Sequence, residues 1–298
     1  MSINIQKALV IARKEFADHL NSPVFLFFAI TFTITILAWS YVKGIEVNYT
    51  ANVLGMPDLM RGFKGMAMVV GRFAPIIGIV MGFDAIVKEI RSSSMNVLLT
   101  HPVFRDNIIA GKIIGSSMCI LLTLFISINL AAGAMFIVSG IPVMAQYLVR
   151  IEIFVMLTFL YSLFFLAISV LISTIVNKSN ISLLYNIAIW LVFTILFAQL
   201  IFSSTYVLTN DVQAANSKTL SLLNFVPGHH YVLVSAGMQD VVRESFDDFP
   251  RIAGVFDTGY TLFEWLSEFW TNLIVLIVSP IIVLIFSFIV FLRRDITL

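Results

Sequence analysis

The chain has 298 residues, 59% of them apolar and only 12% charged, with a mean hydropathy of +0.99. Soluble domains carry about 25% charged residues, so this composition excludes a soluble enzyme and places the polypeptide in a membrane. Eighteen Lys+Arg against seventeen Asp+Glu leave a net charge of +1, which excludes a bulk basic surface for nucleic acid, and the single cysteine, Cys119, excludes an internal disulfide framework or a multi-thiolate metal centre.

In chain order, residues 1–22 come first. Ile5, Leu9, Ala12, Phe16 and Leu20 recur at the spacing of one helical face, while Lys7, Arg13, Lys14, Glu15 and Asp18 occupy the remaining surface. Such a helix lies in the membrane interface, as a lipid anchor or as a docking surface for a cytoplasmic partner. Asn21-Ser22-Pro23 then signals a new helix start, with Ser22 able to cap and Pro23 suited to the first turn. The apolar run that follows is of spanning length and has no small-residue cleavage site after it, so it reads as a retained helix rather than a secretory signal.

A membrane-crossing helix needs about 20 apolar residues. Runs of this kind occur at Val24–Val42, Val69–Val87, Ile113–Val138, Phe154–Val176, Ile181–Phe202 and Leu273–Leu292. Six spans put both termini on one side with the links 88–112 and 177–180. That side gathers Lys7, Arg13, Lys14, Lys88, Arg91, Arg105, Lys112, Lys178, Arg293 and Arg294, against Lys43, Arg61, Lys64, Arg72 and Arg150 opposite. Both termini are therefore expected to be cytoplasmic.

The 88–112 link contains Ile90, Met95, Val97 and Leu98 on one face of a potential short helix that Pro102 would stop. Held between two spans, it would act as a lever for a soluble partner; the alternative is an ordinary solvated loop. The segment 203–271 is acidic yet rich in apolar residues, and Leu262, Trp265, Leu266, Phe269 and Trp270 fit an amphipathic helix leading into the last span. Short helices, some re-entrant, are expected over the outer mouth.

Ionisable residues inside spans are functional candidates. Arg72 and Asp84 are twelve positions apart, about 18 Å along a helix, so they cannot pair and each is expected to snorkel to its own interface. Gly78 with Gly82, and Gly111 with Gly115, have the spacing that lets helix backbones approach closely, within one subunit or between two. Asn129, Asn186 and Gln199 can hydrogen-bond across helices, and Asn48-Tyr49-Thr50 is a glycosylation triplet.

No nucleotide-binding loop is present. Gly111-Lys112 ends like a Walker A motif, but Asp106 and Ile113 stand where Gly and Ser or Thr are required. HExxH, GxSxG and paired-Cys signatures are also missing. His229-His230 is the nearest approach to a metal pair, and a loop role for these polar residues is the simpler reading because adjacent side chains diverge. No cofactor or metal is expected on this chain, and no enzymatic chemistry.

Ala12-Arg13-Lys14-Glu15-Phe16 before the first span, Phe83-Asp84-Ala85-Ile86-Val87 and Glu89 at the end of the second, then Leu98-Leu99, Pro102, Arg105 and Gly111-Lys112, and finally Leu222-Leu223-Asn224-Phe225-Val226-Pro227, resemble the permease subunits of type-2 ABC transporters. In particular the chain is similar to the permease of the nitrous-oxide-reductase maturation transporter and its multi-copper-enzyme-maturation relatives. The likeness covers essentially the whole chain, although Ser92-Ser93-Ser94 replaces the family's usual Gly-Thr pair and the external segment is longer than in compact members.

The resemblance implies an all-α polytopic plasma-membrane protein, a single transmembrane domain over 1–298 with six transmembrane helices, the interfacial helix 1–22, the coupling link 88–112 and a long helical external segment. It implies a non-catalytic subunit that pairs with a second permease copy or paralogue and docks onto a separate ABC ATPase, which would hold ATP and Mg. Glu89, Ile90, Arg91, Met95, Leu98, Leu99, Pro102 and Arg105 would couple to that ATPase, with Lys7, Arg13, Lys14 and Phe16 on the interfacial helix. A central path would run along the second and fifth spans, and an external cargo or accessory protein would meet 203–271. A secondary carrier and a non-transporting assembly scaffold are the competing readings; the former would require inverted repeats and a mid-membrane ion site.

Overall fold

The computed structural model describes residues 5–54, 59–91, 105–237 and 252–293. Every regular element among them is helical: α1 (Ile5–Leu20), α2 (Pro23–Leu54), α3 (Leu59–Gly82), α4 (Val87–Arg91), α5 (Arg105–Ser139), α6 (Ala145–Ile175), α7 (Ser179–Leu191), a π-turn at Val192–Leu196, α8 (Phe197–Thr209), α9 (Val212–Leu223), α10 (Pro227–Ala236) and α11 (Leu262–Arg293). Six stretches are long and apolar enough to cross a membrane: Pro23–Asn52, Leu59–Glu89, Asn107–Ser139, Ala145–Ile175, Ser179–Thr209 and Leu262–Arg293.

These helices run past the apolar stretches that announce them. A helix of about 30 residues is about 45 Å long, enough to cross the headgroup zones as well as the hydrocarbon. The extra turns carry charge, as where Lys43 meets Glu46 at 2.6 Å on α2. The segment expected between 203 and 271 is accordingly shortened at both ends, because α8 continues to Thr209 and α11 begins at Leu262. Thr261 and Glu264 start α11 with a reciprocal capping box: the Glu264 carboxylate accepts from Thr261 N–H at 2.7 Å while the Thr261 hydroxyl accepts from Glu264 N–H at 3.3 Å.

Small residues set the interior. The second span is the most enclosed, with 67% of its apolar window buried against 11% for the fifth. On α3 a Cβ at Gly78 would stand 2.4 Å from the Ser162 carbonyl oxygen, and one at Gly82 would stand 2.7 Å from Ser169 Cβ, so α3 and α6 meet backbone to backbone. Ser162 and Ser169 strengthen the seam by donating to the Ala74 and Ile79 carbonyls at 3.3 and 3.1 Å. Thr33 on α2 and Ser127 on α5 share a 2.7 Å hydrogen bond. Asn129 and Asn186, expected to bridge helices, instead donate to Phe125 and Ser182 carbonyls one turn back in their own helices, while Gln199 is exposed. Short hydroxyls reach a neighbouring backbone without separating two helices, whereas these two amides bond within their own helices. Asn48 donates to the Ser139 carbonyl at 3.0 Å.

At the end of the bundle away from the termini, α9 is capped by Asp211, which accepts from Gln213 N–H at 2.8 Å. Residues 252–260 fold back against α10, where Val255 N–H donates to the Val234 carbonyl at 2.8 Å. The approach is tight enough to need Gly237 and Gly254, both at positive φ and both in backbone contact with the opposing strand of chain. Arg150, buried on α6, donates to the Val255 and Tyr260 carbonyls and pins this turn to the fourth span.

Candidate functional site

At the end carrying the termini, Lys112 on α5 is buried, and its ammonium donates to Glu15 Oε1 on α1 at 2.7 Å and to Glu89 Oε1 on α4 at 3.0 Å. One cation thereby joins the N-terminal helix, the start of the 88–112 link and the third span. Buried charges are tolerated only when paired, and these three satisfy one another.

The glycines beside Lys112 make the join possible. A Cβ at Gly111 would lie 2.6 Å from Ile11 Cβ, and one at Gly115 would lie 2.6 Å from the Ala12 carbonyl oxygen. Ala8 and Ala12 supply the matching small surface on α1 and are buried. One turn further, His19 Nε2 stands 3.1 Å from Ser116 Oγ, and Cys119 donates to the Phe16 carbonyl at 3.6 Å. Burial lowers the His19 pKa against the opposing pull of Glu15.

The contact surface of α1 is made by its small residues. Ile5 and Leu9, the large apolar residues of the periodic stripe, are exposed, while Ala8, Ala12 and Glu15 are buried and Phe16 packs partly against the core. Thus α1 packs on α5 through its small residues and leaves its large apolar stripe exposed. In a bilayer, large apolar side chains are at home against lipid, whereas close helix contact selects small ones.

The link begins at a turn over Phe83–Ile86, and Ser173 on α6 holds it. Its Oγ accepts from Ile86 N–H at 3.0 Å and Val87 N–H at 3.1 Å, both in a buried setting. The fourth span thus fixes where the second ends. A cavity of about 230 Å³ opens beside the node, lined by Asp18, His19, Asp84, Lys88 and Phe25 together with the three ion-paired residues.

Residues 9–296 match the family described as ABC-2 family transporter protein. The chain belongs to the ABC-2 transporter family. Two curated relatives are each described as a probable ABC transporter permease protein NosY. The Stutzerimonas stutzeri protein is 24% identical over 188 residues, and that of Pseudomonas aeruginosa is 25% identical over 190. The shared stretch covers 63% of this chain and 66% of each relative, so the chain spans slightly under two thirds of their length. The protein is a multi-pass membrane protein of this transporter family.

In this ABC-2 permease, the residues singled out from sequence fall into three groups. Glu89 is in the node, Ile90 and Arg91 close α4, and Arg105 opens α5. Met95, Leu98, Leu99 and Pro102 lie outside the described residues. Lys7, Arg13 and Lys14 are exposed on α1, and the four glycines lie in the two seams described above. Glu15 and Ser173 were not among the sequence candidates. Glu15 had been placed on a solvated face, and a serine within a charge-free span carries no signal of the turn it holds.

A second concave region lies near mid-height of the second, fourth and fifth spans, where α10 packs against them. Tyr161 on α6 and Tyr231 on α10 stack with ring centroids 4.6 Å apart, and Tyr231 shares a 3.0 Å hydrogen bond with Thr158. Glycine admits this pair, since a Cβ at Gly71 would meet Tyr231 Cε1 at 2.6 Å and one at Gly228 would meet the Tyr161 hydroxyl at 2.8 Å. His230 is engaged on both sides, with Nδ1 2.6 Å from Asn272 Oδ1 and Nε2 2.9 Å from the Asn224 carbonyl. Burial, then the neighbouring His230, pushes His229 down to about 4. Among the described residues no group of three or more His, Cys, Asp or Glu is arranged to hold a metal ion.

Proposed function

We propose that this ABC-2 permease is the membrane half of an ATP-driven transporter whose motor is a separate ABC ATPase chain carrying ATP and Mg. The observation that carries the reading is the Lys112 node, which ties Glu15 of α1 to Glu89 of α4 near the start of the third span. A displacement applied to either α1 or the link is shared by both and reaches the spans through α5 and through Ser173 of α6. The descriptions of the curated relatives as ABC transporter permeases agree with this assignment.

In this reading the link from Glu89 through Leu99 is the coupling helix, with Ile90, Arg91, Met95, Leu98, Pro102 and Arg105 contributing to the ATPase contact. Lys7, Arg13 and Lys14 supply a basic flank on α1. Both termini face the cytoplasm of a plasma membrane, in accord with the concentration of Lys and Arg on that side. Two permeases pair, and ATP-driven closure of the motors moves both nodes, opening a path along the second and fifth spans toward the 203–271 segment.

Co-expression with a candidate ABC ATPase chain from the same source tests the proposal. The expected result is a purified complex whose ATP hydrolysis depends on both chains, with hydrolysis retained but cargo movement lost in Glu89→Gln. A stable permease that recruits no ATPase, or unchanged transport in Glu89→Gln, would refute it.

A further inference from the structure

We propose that the tyrosine-walled cavity at mid-height of the second, fourth and fifth spans is a binding site for an amphiphilic anion, a carboxylate or phosphate carried on a short apolar body. The cavity measures about 240 Å³ and lies between α3, α6, the π-turn of the fifth span and α10. Its walls are apolar and aromatic, including Met68, Phe193, Tyr161 and Tyr231, and a few polar groups converge on it. That combination of greasy walls with sparse polar anchors is the usual character of a small-ligand site.

Arg72 supplies the charge. It lines the cavity from the second span, and among the described residues its guanidinium has no ion pair. An arginine within a span is costly unless an anion or water meets it. The other basic group in the lining, His229, is uncharged at neutral pH because burial pushes it down to about 4. Arg72 is therefore the fixed positive charge facing this space.

The fifth span is locally altered at the same place. Val192–Leu196 form a π-turn, a distortion that recurs at functional sites because it costs regular helix bonding. Thr194, within it, lines the cavity; its hydroxyl is buried beside Tyr161 without a hydrogen-bond partner of normal geometry among the described residues. Arg72 and Thr194 thus offer a charged and a neutral donor to one bound headgroup, while Tyr161 and Tyr231 present ring surface to its apolar body. Binding at this site requires neither ATP nor the motor chain, so its failure would leave the coupling proposal untouched.

Trp190 provides a reporter, because its indole N–H donates to the Arg72 carbonyl at 3.1 Å. The full chain, reconstituted in phosphatidylcholine nanodiscs, is titrated with dodecanoate and with dodecanol while tryptophan emission is followed; the Trp190→Phe variant identifies the signal from this position. The expected result is a saturable response to dodecanoate that Trp190→Phe abolishes and Arg72→Lys keeps. In Arg72→Gln the affinity should fall about tenfold or more, the loss expected for one charge-assisted hydrogen bond. Replacing part of the phosphatidylcholine by phosphatidylglycerol distinguishes the source: a response to that exchange identifies a lipid headgroup, and a response to dodecanoate identifies a free amphiphile. Should Arg72→Gln fail to fold, a tenfold preference of the wild type for dodecanoate over dodecanol decides in favour. No saturable response to either anion, equal affinity for dodecanol, or unchanged anion affinity in a folded Arg72→Gln protein would overturn the proposal.

Discussion

The ammonium of Lys112 lies 2.7 Å from the carboxylate of Glu15, although the two are 97 positions apart in the chain. This contact fastens a helix outside the six spans to the early part of the third, and Glu89 completes it from the link. Its energetics are those of buried charge. The attraction between the partners offsets a large desolvation cost, so loss of one partner is far worse than loss of all three.

Lys112→Met should therefore destabilise the protein by about 3–5 kcal/mol, because the buried Glu15 and the half-buried Glu89 would be left side by side without a cation. The combined Glu15→Gln, Glu89→Gln, Lys112→Met protein should recover most of that loss. Thermal unfolding of the purified chain in detergent measures both. The two variants also separate stability from coupling, since the triple variant should stay folded yet transmit force poorly.

Gly115→Ala should lift α1 from α5. The added Cβ would sit 2.6 Å from the Ala12 carbonyl oxygen, a backbone atom that cannot move without the whole helix. Cys119, buried under Phe16 and the sole cysteine of the chain, reports the change directly. Maleimide labelling should be negligible in wild type and should proceed readily in Gly115→Ala.

Ser173→Ala removes the acceptor of two buried backbone N–H groups, those of Ile86 and Val87. The expected cost is about 1–3 kcal/mol for each group left unpaired. Ser173→Thr, which retains the hydroxyl, should cost less than Ser173→Ala in the same melting measurement. If the turn transmits force into α4, Ser173→Ala should also lower transport per ATP hydrolysed.

Acidification should weaken the packing around His229. Its pKa falls from 6.5 to about 4 on folding, chiefly by burial. The unfolded chain therefore takes up the proton first. This contribution is complete above about 6.5 and is lost as pH drops toward 4, a decline of about 3 kcal/mol. His19, also lowered by burial, acts in the same direction at the end carrying the termini. Melting temperatures measured across this range should fall less steeply in His229→Gln than in wild type.

Much of the architecture can be read from the chain alone, and the reason is the solvent. Hydrocarbon admits backbone only as helix or closed barrel, and it demands about 20 apolar residues per helical crossing. Uninterrupted runs such as Val24–Val42 and Ile113–Val138 consequently reveal spans without any knowledge of packing. Their ends are less visible. Lys43, Glu46 and Arg150 belong to helices that continue through the headgroup zone, where hydropathy no longer marks the helix.

On α1 the stripe of Ile5, Leu9, Ala12, Phe16 and Leu20 marks an amphipathic helix, but only packing shows that Ala8 and Ala12 make its contact with α5 while Ile5 and Leu9 stay exposed. Glycine spacing at Gly111 and Gly115 did mark a close helix approach, but not its partner. Composition and hydrophobic runs settled the membrane, the helical class and the number of crossings. The pairing of Lys112 with Glu15 and Glu89, the grip of Ser173 on the Phe83–Ile86 turn and the meeting of Arg72 with Thr194 at one cavity came from packing, because each joins residues on different helices. A single chain's local pattern specifies which face is apolar; which faces meet depends on the shapes of all the helices at once.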